Sequence, residues 1–435
     1  KNVAIGRRAL KLLNAGADSL NTAVGHQAGA AMTTGIENTL IGGKAGDALT
    51  TGSYNIAIGV DALDAEDTGS RNVAIGYNSL KSLNYDGNGY NVAVGFEAGK
   101  AMSTGIQNTL IGGLAGDALT SGSNNIAIGL LALSSEDTGG KSIAIGFQSL
   151  AVQNYDGDAY NVAMGYQAGT AVTTGVRNVL IGGNTGDALT DGNYNTAVGY
   201  QALSDDDQGE YNTAMGYFAL ENYNDGDGNG HNTAIGAQSQ RNATTGEFNT
   251  SLGSLSMGVG AVTGDNNVAI GYQAGQALTA GTANILIGKG AGDSLTDGTS
   301  NVAIGTAALQ SENGHGRNVA IGHATLENLD AGQNGSNVAV GYLAGNAVTT
   351  GVNNTIVGGL AGDALTTGVN NTAIGLGALG TEDTGGQNVA VGVNALATLN
   401  FNGNGLNTAV GYAAGAAITT GVQNTIVGGE AGDAI

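Results

Sequence analysis

Asn2-Val3-Ala4-Ile5-Gly6 follows Lys1, and the unit Asn-x-Ala-x-Gly, with Leu, Ile or Ser in place of Ala in some copies, recurs 25 times along the 435 residues. Copies begin at residues 2, 21, 38, 55 and 72 and continue to 424, most of them 17 residues apart and the rest 18 to 20. The first position is Asn in every copy except Ser142, the second is Val, Ile or Thr, and the fifth is always Gly. Past that Gly the chain reads small-then-Leu or small-then-Gly, as in Ala9-Leu10 and Ala28-Gly29. A polar loop follows, often ending in Thr-Thr-Gly (Thr33-Thr34-Gly35, Thr366-Thr367-Gly368).

Each unit therefore reads as a short β-branched run, a Gly bend, a second run of small residues and a loop. β-branched residues suit a pleated, half-buried surface, and Gly supplies the positive φ of a tight corner. Helices are excluded, because Gly at this frequency costs nearly 1 kcal/mol at each interior helical position. A unit this short cannot bury its own apolar residues. Stacking coils about 4.8 Å apart gives each a partner above and below, and 25 coils then predict a rod on the order of 120 Å long. The expected class is an all-β parallel β-solenoid. Asn72 and Asn195 are read as rungs of an amide ladder, and Gly76 and Gly199 as obligatory bends.

A longer period lies above the first. Four coil types alternate in a 70-residue superrepeat, so that residues 2, 72, 142 and 212 begin equivalent coils. One type carries Ala-Gly-Asp-Ala-Leu, with small variations, at Asp47, Asp117, Asp187, Asp293, Asp363 and Asp433. That fixed Asp is expected to cap backbone donors at a coil corner. The pattern divides the chain into a first array (1–231), two irregular inserted coils (232–266) and a second array (267–435).

Composition supports this reading. Seventy-nine glycines without a single Pro exclude collagen, and evenly spread aliphatic residues argue against disorder. A net charge of −22 disfavours nucleic acid and anionic membranes as partners. No apolar run is long enough to span a bilayer. The absence of Cys excludes disulfides and thiolate metal sites. Because the sequence starts and stops inside a repeat, it is expected to be a segment of a longer polypeptide.

Alternation along the strand puts Val3 and Ile5 on one face and Ala4 on the other, and both faces are apolar. A solenoid wall has one inside, so the outer stripe needs a cover. Further copies of the chain in a parallel cyclic bundle provide one. A wide monomeric solenoid with a modestly hydrophobic outer face is the alternative.

Asn-Val-Ala-Ile-Gly (72–76, 318–322) and Asn-Thr-Ala-Val-Gly-Tyr-Gln-Ala-Leu (195–203) resemble the head repeats of YadA-type trimeric autotransporter adhesins, and are similar to repeats of phage tail-fibre proteins. The resemblance spans essentially the whole chain. It implies a left-handed parallel β-roll, three chains about one axis, and attachment to a surface. Adhesin repeats are usually shorter than 17 residues, and no stalk or membrane anchor is visible here.

Sites of chemistry are sparse. His26, His231, His315 and His323 lie on different coils, in no catalytic or metal-ligand spacing, and acidic pairs such as Glu66-Asp67, Glu136-Asp137 and Glu382-Asp383 recur with the coils without converging. No enzyme activity and no cofactor are expected. Asp225-Gly226-Asp227-Gly228-Asn229 matches the start of a calcium loop, with Asp225, Asp227 and Asn229 as ligands, but Gly236 stands where the bidentate acid belongs. An ordinary Asp/Gly/Asn turn is the favoured reading. Longer loops on every fourth coil carry Tyr85, Asp86, Tyr90, Tyr155, Asp156, Tyr160 and Tyr223, either as multivalent glycan contacts or as covers over coil corners. The expected function is attachment outside the cell: a phage tail fibre or similar virion appendage, a bacterial surface adhesin, or a self-assembling filament without a receptor.

Overall fold

In the computed structural model, which describes residues 1–16, 18–226 and 229–432, each repeat motif supplies one three-residue strand. There are two compact units. The first takes in Lys1–Asn212 and carries, among the described residues, twelve strands from β1 (Val3–Ile5) to β12 (Thr196–Val198). The second takes in Thr213–Asp225 and Asn229–Ile435 and carries thirteen, from β13 (Thr213–Met215) to β25 (Thr425–Val427). Within each unit a strand pairs in parallel with the next in sequence. Thus β7 (Thr109–Ile111) meets β8 (Ile126–Ile128) through Thr109↔Ile126, Leu110↔Ala127 and Ile111↔Ile128. The fold is an all-β parallel β-solenoid of about 25 turns, with no helix among the described residues.

Three residues cannot hold a strand alone, and the backbone pairing continues around the coil. Ile126 N donates to Ser142 O (2.9 Å), Gly129 N to Ile111 O (2.8 Å), Gly116 N to Ala132 O (3.0 Å) and Thr120 N to Asp137 O (2.7 Å). Few amides are left for water to satisfy. In the coils between Asn2 and Asn424 the motif Asn is buried and closes the remaining gap. Asn108 Oδ1 accepts from the backbone N of Asn125 at 2.9 Å, while its Nδ2 donates to Gly122 O at 2.9 Å. Only an amide offers an acceptor and a donor in that geometry. The ladder therefore runs mainly from side chain to backbone, with direct amide–amide contacts such as Asn91 Nδ2 to Asn72 Oδ1 (3.2 Å) as a supplement.

Ser142 is too short to serve as a rung, and Gln153 of the same coil takes its place. Gln153 Nε2 donates to Ser142 Oγ (2.9 Å) and to Glu136 Oε2 (3.0 Å), and its Oε1 accepts from Asn161 Nδ2 (2.8 Å). In the equivalent coil one superrepeat earlier, Asn72 is paired with Leu83. The two positions change together.

Inside the coil the middle strand residue points to the core: Leu110 and Ala127 are fully buried. Large and small residues trade places between columns. A Cβ added to Gly99 would lie 2.7 Å from Leu110 Cδ1, and one added to Gly116 would lie 2.8 Å from Leu110 Cδ2, so Leu110 fills space that both glycines vacate. Where the strand centre is Ala, as at Ala127, the same column holds Leu133 at φ 53°. A left-handed backbone costs Leu about 1–2 kcal/mol, and burying its side chain returns about 1.5–3 kcal/mol. At the bend no substitute fits. A Cβ on Gly112, at φ 136°, would sit 2.5 Å from Gly129 O of the next coil.

The inserted coils keep the register. β14 (Thr233–Ile235) pairs with β15 (Thr250–Leu252), and β15 with β16 (Val268–Ile270), in unbroken parallel fashion. The departure lies in the core, where Ser239, Gln240, Ser251 and Ser256 are fully buried. Gln240 Nε2 donates to Ser251 Oγ (3.0 Å), Ser239 Oγ bonds Ser251 Oγ, and Ser256 Oγ donates to Ala269 O (2.8 Å).

Candidate functional site

The most extensive surface feature is the outward face of the strands. The residues flanking each buried centre point out and stay partly wet, with Ile111 38% and Ile285 40% exposed. None of these outward strand positions is charged in any coil. The residue after the bend Gly extends the face with aromatic rings: Tyr77 stacks on Phe96 at 5.5 Å, and Phe147 on Tyr166 at 5.3 Å. The residue before the motif Asn forms a further column. There Arg71 lies over Tyr54 (5.4 Å) and Tyr90 (5.6 Å), and Lys141 over Tyr160 (5.1 Å). Such stacks add about 0.5–1.5 kcal/mol for ring pairs and about 0.5–1 kcal/mol for exposed cation–ring pairs. The Gly76-Tyr77 and Gly95-Phe96 dipeptides signal the first column in sequence, once the bend Gly is known to start a corner on the same face.

The loop residues divide. Tyr90 and Tyr160 are about half exposed, and Tyr155 and Asp156 are exposed on the first unit. Asp86 and Asp156 are tied to the preceding coil by Thr68 Oγ1 (2.7 Å) and Thr138 Oγ1 (3.1 Å). Tyr85 is half-buried, and its backbone N donates to Glu66 Oε2 (3.2 Å). Tyr223 does not project as the sequence suggested: it is fully buried. It lies eleven residues after its motif Asn212, the core position held by Leu83 after Asn72. Its hydroxyl donates inward to Asp225 Oδ2 at 2.7 Å, which removes it from any ligand surface.

That core position also takes an acid on one coil of each superrepeat, a placement that the recurrence of the acidic pairs did not itself reveal. Glu66, Glu136, Glu312 and Glu382 are fully buried. Glu136 Oε1 accepts from Gly139 N (2.7 Å), and Oε2 accepts from Tyr155 N (3.3 Å) in the longer coil that follows. The carboxylate thus satisfies amides that the extra loop residues pull out of the ladder. Burial pushes these glutamates above the usual carboxylate range. Backbone hydrogen bonds reach the carboxyls of the corner residues Asp117, Asp187 and Asp363, in the last case from Asp363 and Ala364. Asp117, Asp187 and Asp293 each leave Oδ1 buried without a hydrogen-bond partner, and burial raises their pKa. Asp47 is pushed up to about 7 by burial together with a hydrogen bond to Asp64, whose own Oδ1 finds no ordinary donor.

Of the calcium candidates, Asp227 lies outside the described residues. Asp225 commits Oδ2 to Tyr223, and Asn229 is exposed. Among the described residues no helix is long and apolar enough to cross a membrane. No protein-family model and no curated protein matches the chain.

Proposed function

We propose that this chain is a non-enzymatic, adhesive fibre segment, assembled from copies of itself through the uncharged outer face of its strands. The face itself carries the reading. Val, Ile, Thr, Leu and Met occupy its outward positions without a charge, on a chain of net charge −22. Copies meeting elsewhere bring acids against acids, whereas copies meeting here bury β-branched side chains. A parallel assembly about a rotation axis sets each coil beside its own equivalent, so columns of one spacing face each other at every level.

Three left-handed chains about one axis is the arrangement implied by the similarity to trimeric adhesin heads and phage fibres. We place the protein first as a shaft or head segment of a phage tail fibre or similar virion appendage. It works outside the cell and attaches to a host surface. A bacterial surface adhesin head is the second reading, and a filament subunit without a receptor the third. The half-exposed Tyr54, Tyr90 and Tyr160, each with a cation over its ring, offer hydroxyls, ring edges and positive charge suited to polar contacts with a sugar. Their recurrence favours weak sites that gain by multivalency.

The test is sedimentation of the native chain beside Ile111→Lys/Ile128→Lys, with retention on bacterial cells measured for both. The half-exposed, outward isoleucines can be changed without touching the core. The proposal expects an oligomer for the native chain, a smaller species for the variant, and weaker retention of the variant on cells. An identical sedimentation coefficient for the two would remove the outer face as the interface.

A further inference from the structure

One coil corner in the second unit departs from its equivalents in a chemically directed way. At residues 312–331 the buried Glu312 keeps the usual role of its column, accepting from His315 N (3.1 Å) and Ala331 N (3.4 Å). In the equivalent corners the residue three after the acid is glycine: Gly69, Gly139, Gly209 and Gly385. Here it is His315. The residue equivalent to Asn84, Asn154, Asn224 and Asn400 is Asp330. The ring of Tyr85, Tyr155 or Phe401 is replaced by the methyl group of Ala331. Two neighbouring positions have exchanged poor ligands for good ones, and a third has exchanged a bulky side chain for open space.

Geometry brings the exchanged residues together. One ligand atom each from Glu312, His315 and Asp330 lies within 4.8 Å of the other two. His315 Nδ1 stands 3.2 Å from Glu312 Oε1. Two donors bound to one zinc-sized ion at about 2.0–2.2 Å in a tetrahedral arrangement lie a little over 3 Å apart, so this pair already has the required separation. Asp330 is exposed, held only on its outer side by Asn313 Nδ2 (3.2 Å), and needs a small rotation to close the set. Three protein donors on a partly open corner leave the fourth position to water.

We propose that Glu312, His315 and Asp330 form a binding site for one borderline first-row divalent cation, with zinc as the best match to a nitrogen and two carboxylate oxygens. The ion would clip the coil beginning at Asn301 to the coil beginning at Asn318. It would hold the longer loop down where no aromatic ring covers it.

The experiment uses the full chain, stripped with a chelator and dialysed, with Zn2+ binding measured by equilibrium dialysis and Co2+ by its visible absorption. Two variants restore the residues of the equivalent corners and should therefore fold: His315→Gly and Asp330→Asn. The expected result is one Zn2+ per native chain, tetrahedral cobalt bands, and a melting temperature raised by zinc. At least about a tenfold loss of affinity is expected in either variant, since even changes beyond the direct ligands cost roughly 10–100-fold. Equal zinc uptake by the native chain and His315→Gly, reflecting only diffuse binding to the acidic surface, overturns the site. So does a cobalt spectrum unchanged by both substitutions.

Discussion

The coils between Asn91 and Lys141 and those between Asn232 and Asn266 share one backbone and differ in what fills it. In the first region Leu110 occupies the space left by Gly99 and Gly116, and the interior is apolar apart from the motif asparagines and Glu136. In the second, Ser251 stands where Leu110 stood, flanked by Gln240 and Met257, and the interior is held by side-chain hydrogen bonds. Parallel pairing is intact in both. Register in this fold is thus set by the Asn rungs and the Gly bends, and the core chemistry can change beneath them. Each region leaves one buried polar oxygen without a partner, Asp117 Oδ1 in the first and Gln240 Oε1 in the second.

Several substitutions sharpen this contrast. The largest effect should come from the shared element. Gly112→Ala and Gly236→Ala each drive a Cβ into the next coil's backbone at positive φ, where a methyl group has no room. Strain and overpacking together predict a loss of roughly 3 kcal/mol or more at either site, read by chemical denaturation or by amide exchange around the coil. A mild effect in one region alone would break the claim that the two share a scaffold.

Next come the cores. Leu110→Ala should cost about 2–5 kcal/mol, and Ser251→Ala about 1–3 kcal/mol because it takes the bonding partner from buried Ser239 Oγ and leaves Gln240 Nε2 only its longer bonds to Thr233 O and Asn249 O. Gln240→Gly, Ser251→Leu and Met257→Gly together rebuild the Gly99–Leu110–Gly116 arrangement, and both glycines inherit a left-handed backbone (φ 47° and 48°). The triple variant should melt at or above the native temperature. Melting below Ser251→Ala would show that the polar core is fitted to its own coils.

Ionisable groups in the first array give it a pH dependence. Asp47, raised to about 7 from an ordinary 3.8, binds more protons folded than unfolded between those values. Its contribution is therefore fully present below about pH 4 and lost as pH rises through 7. Water screens both partly exposed carboxyls, so the change is held to about 1–2 kcal/mol. Thermal melts from pH 4 to 8 should fall across this window for the native chain and fall less in Asp47→Asn, where the other buried carboxyls still titrate. The smallest effect is expected at Gln107, an exposed residue at φ 60°. Gln107→Gly should stabilise by about 1 kcal/mol by releasing left-handed strain.

The strand, the bend and the stacking were legible because Asn-x-Ala-x-Gly pairs residue type with backbone requirement at each position. The left-handed leucines were not. Leu80 and Leu133 read as ordinary core residues, and only their exchange with Gly99 and Gly116 in one column hints at positive φ. The burial of Glu136 is not marked by its residue type or by its neighbour Asp137, and follows only from counting eleven residues from Asn125, as for Leu119 from Asn108. The same count would have placed Tyr223 inside. His315 and Asp330 were separate in sequence, and adjoin only because coils stack.

The central claim, that the uncharged outer face is covered by further copies, is tested most directly by the mass of the native chain in solution, measured by light scattering over a range of concentrations. The account predicts three times the chain mass of 42.6 kDa, held on dilution. A constant 42.6 kDa would contradict it and leave the outer face bare.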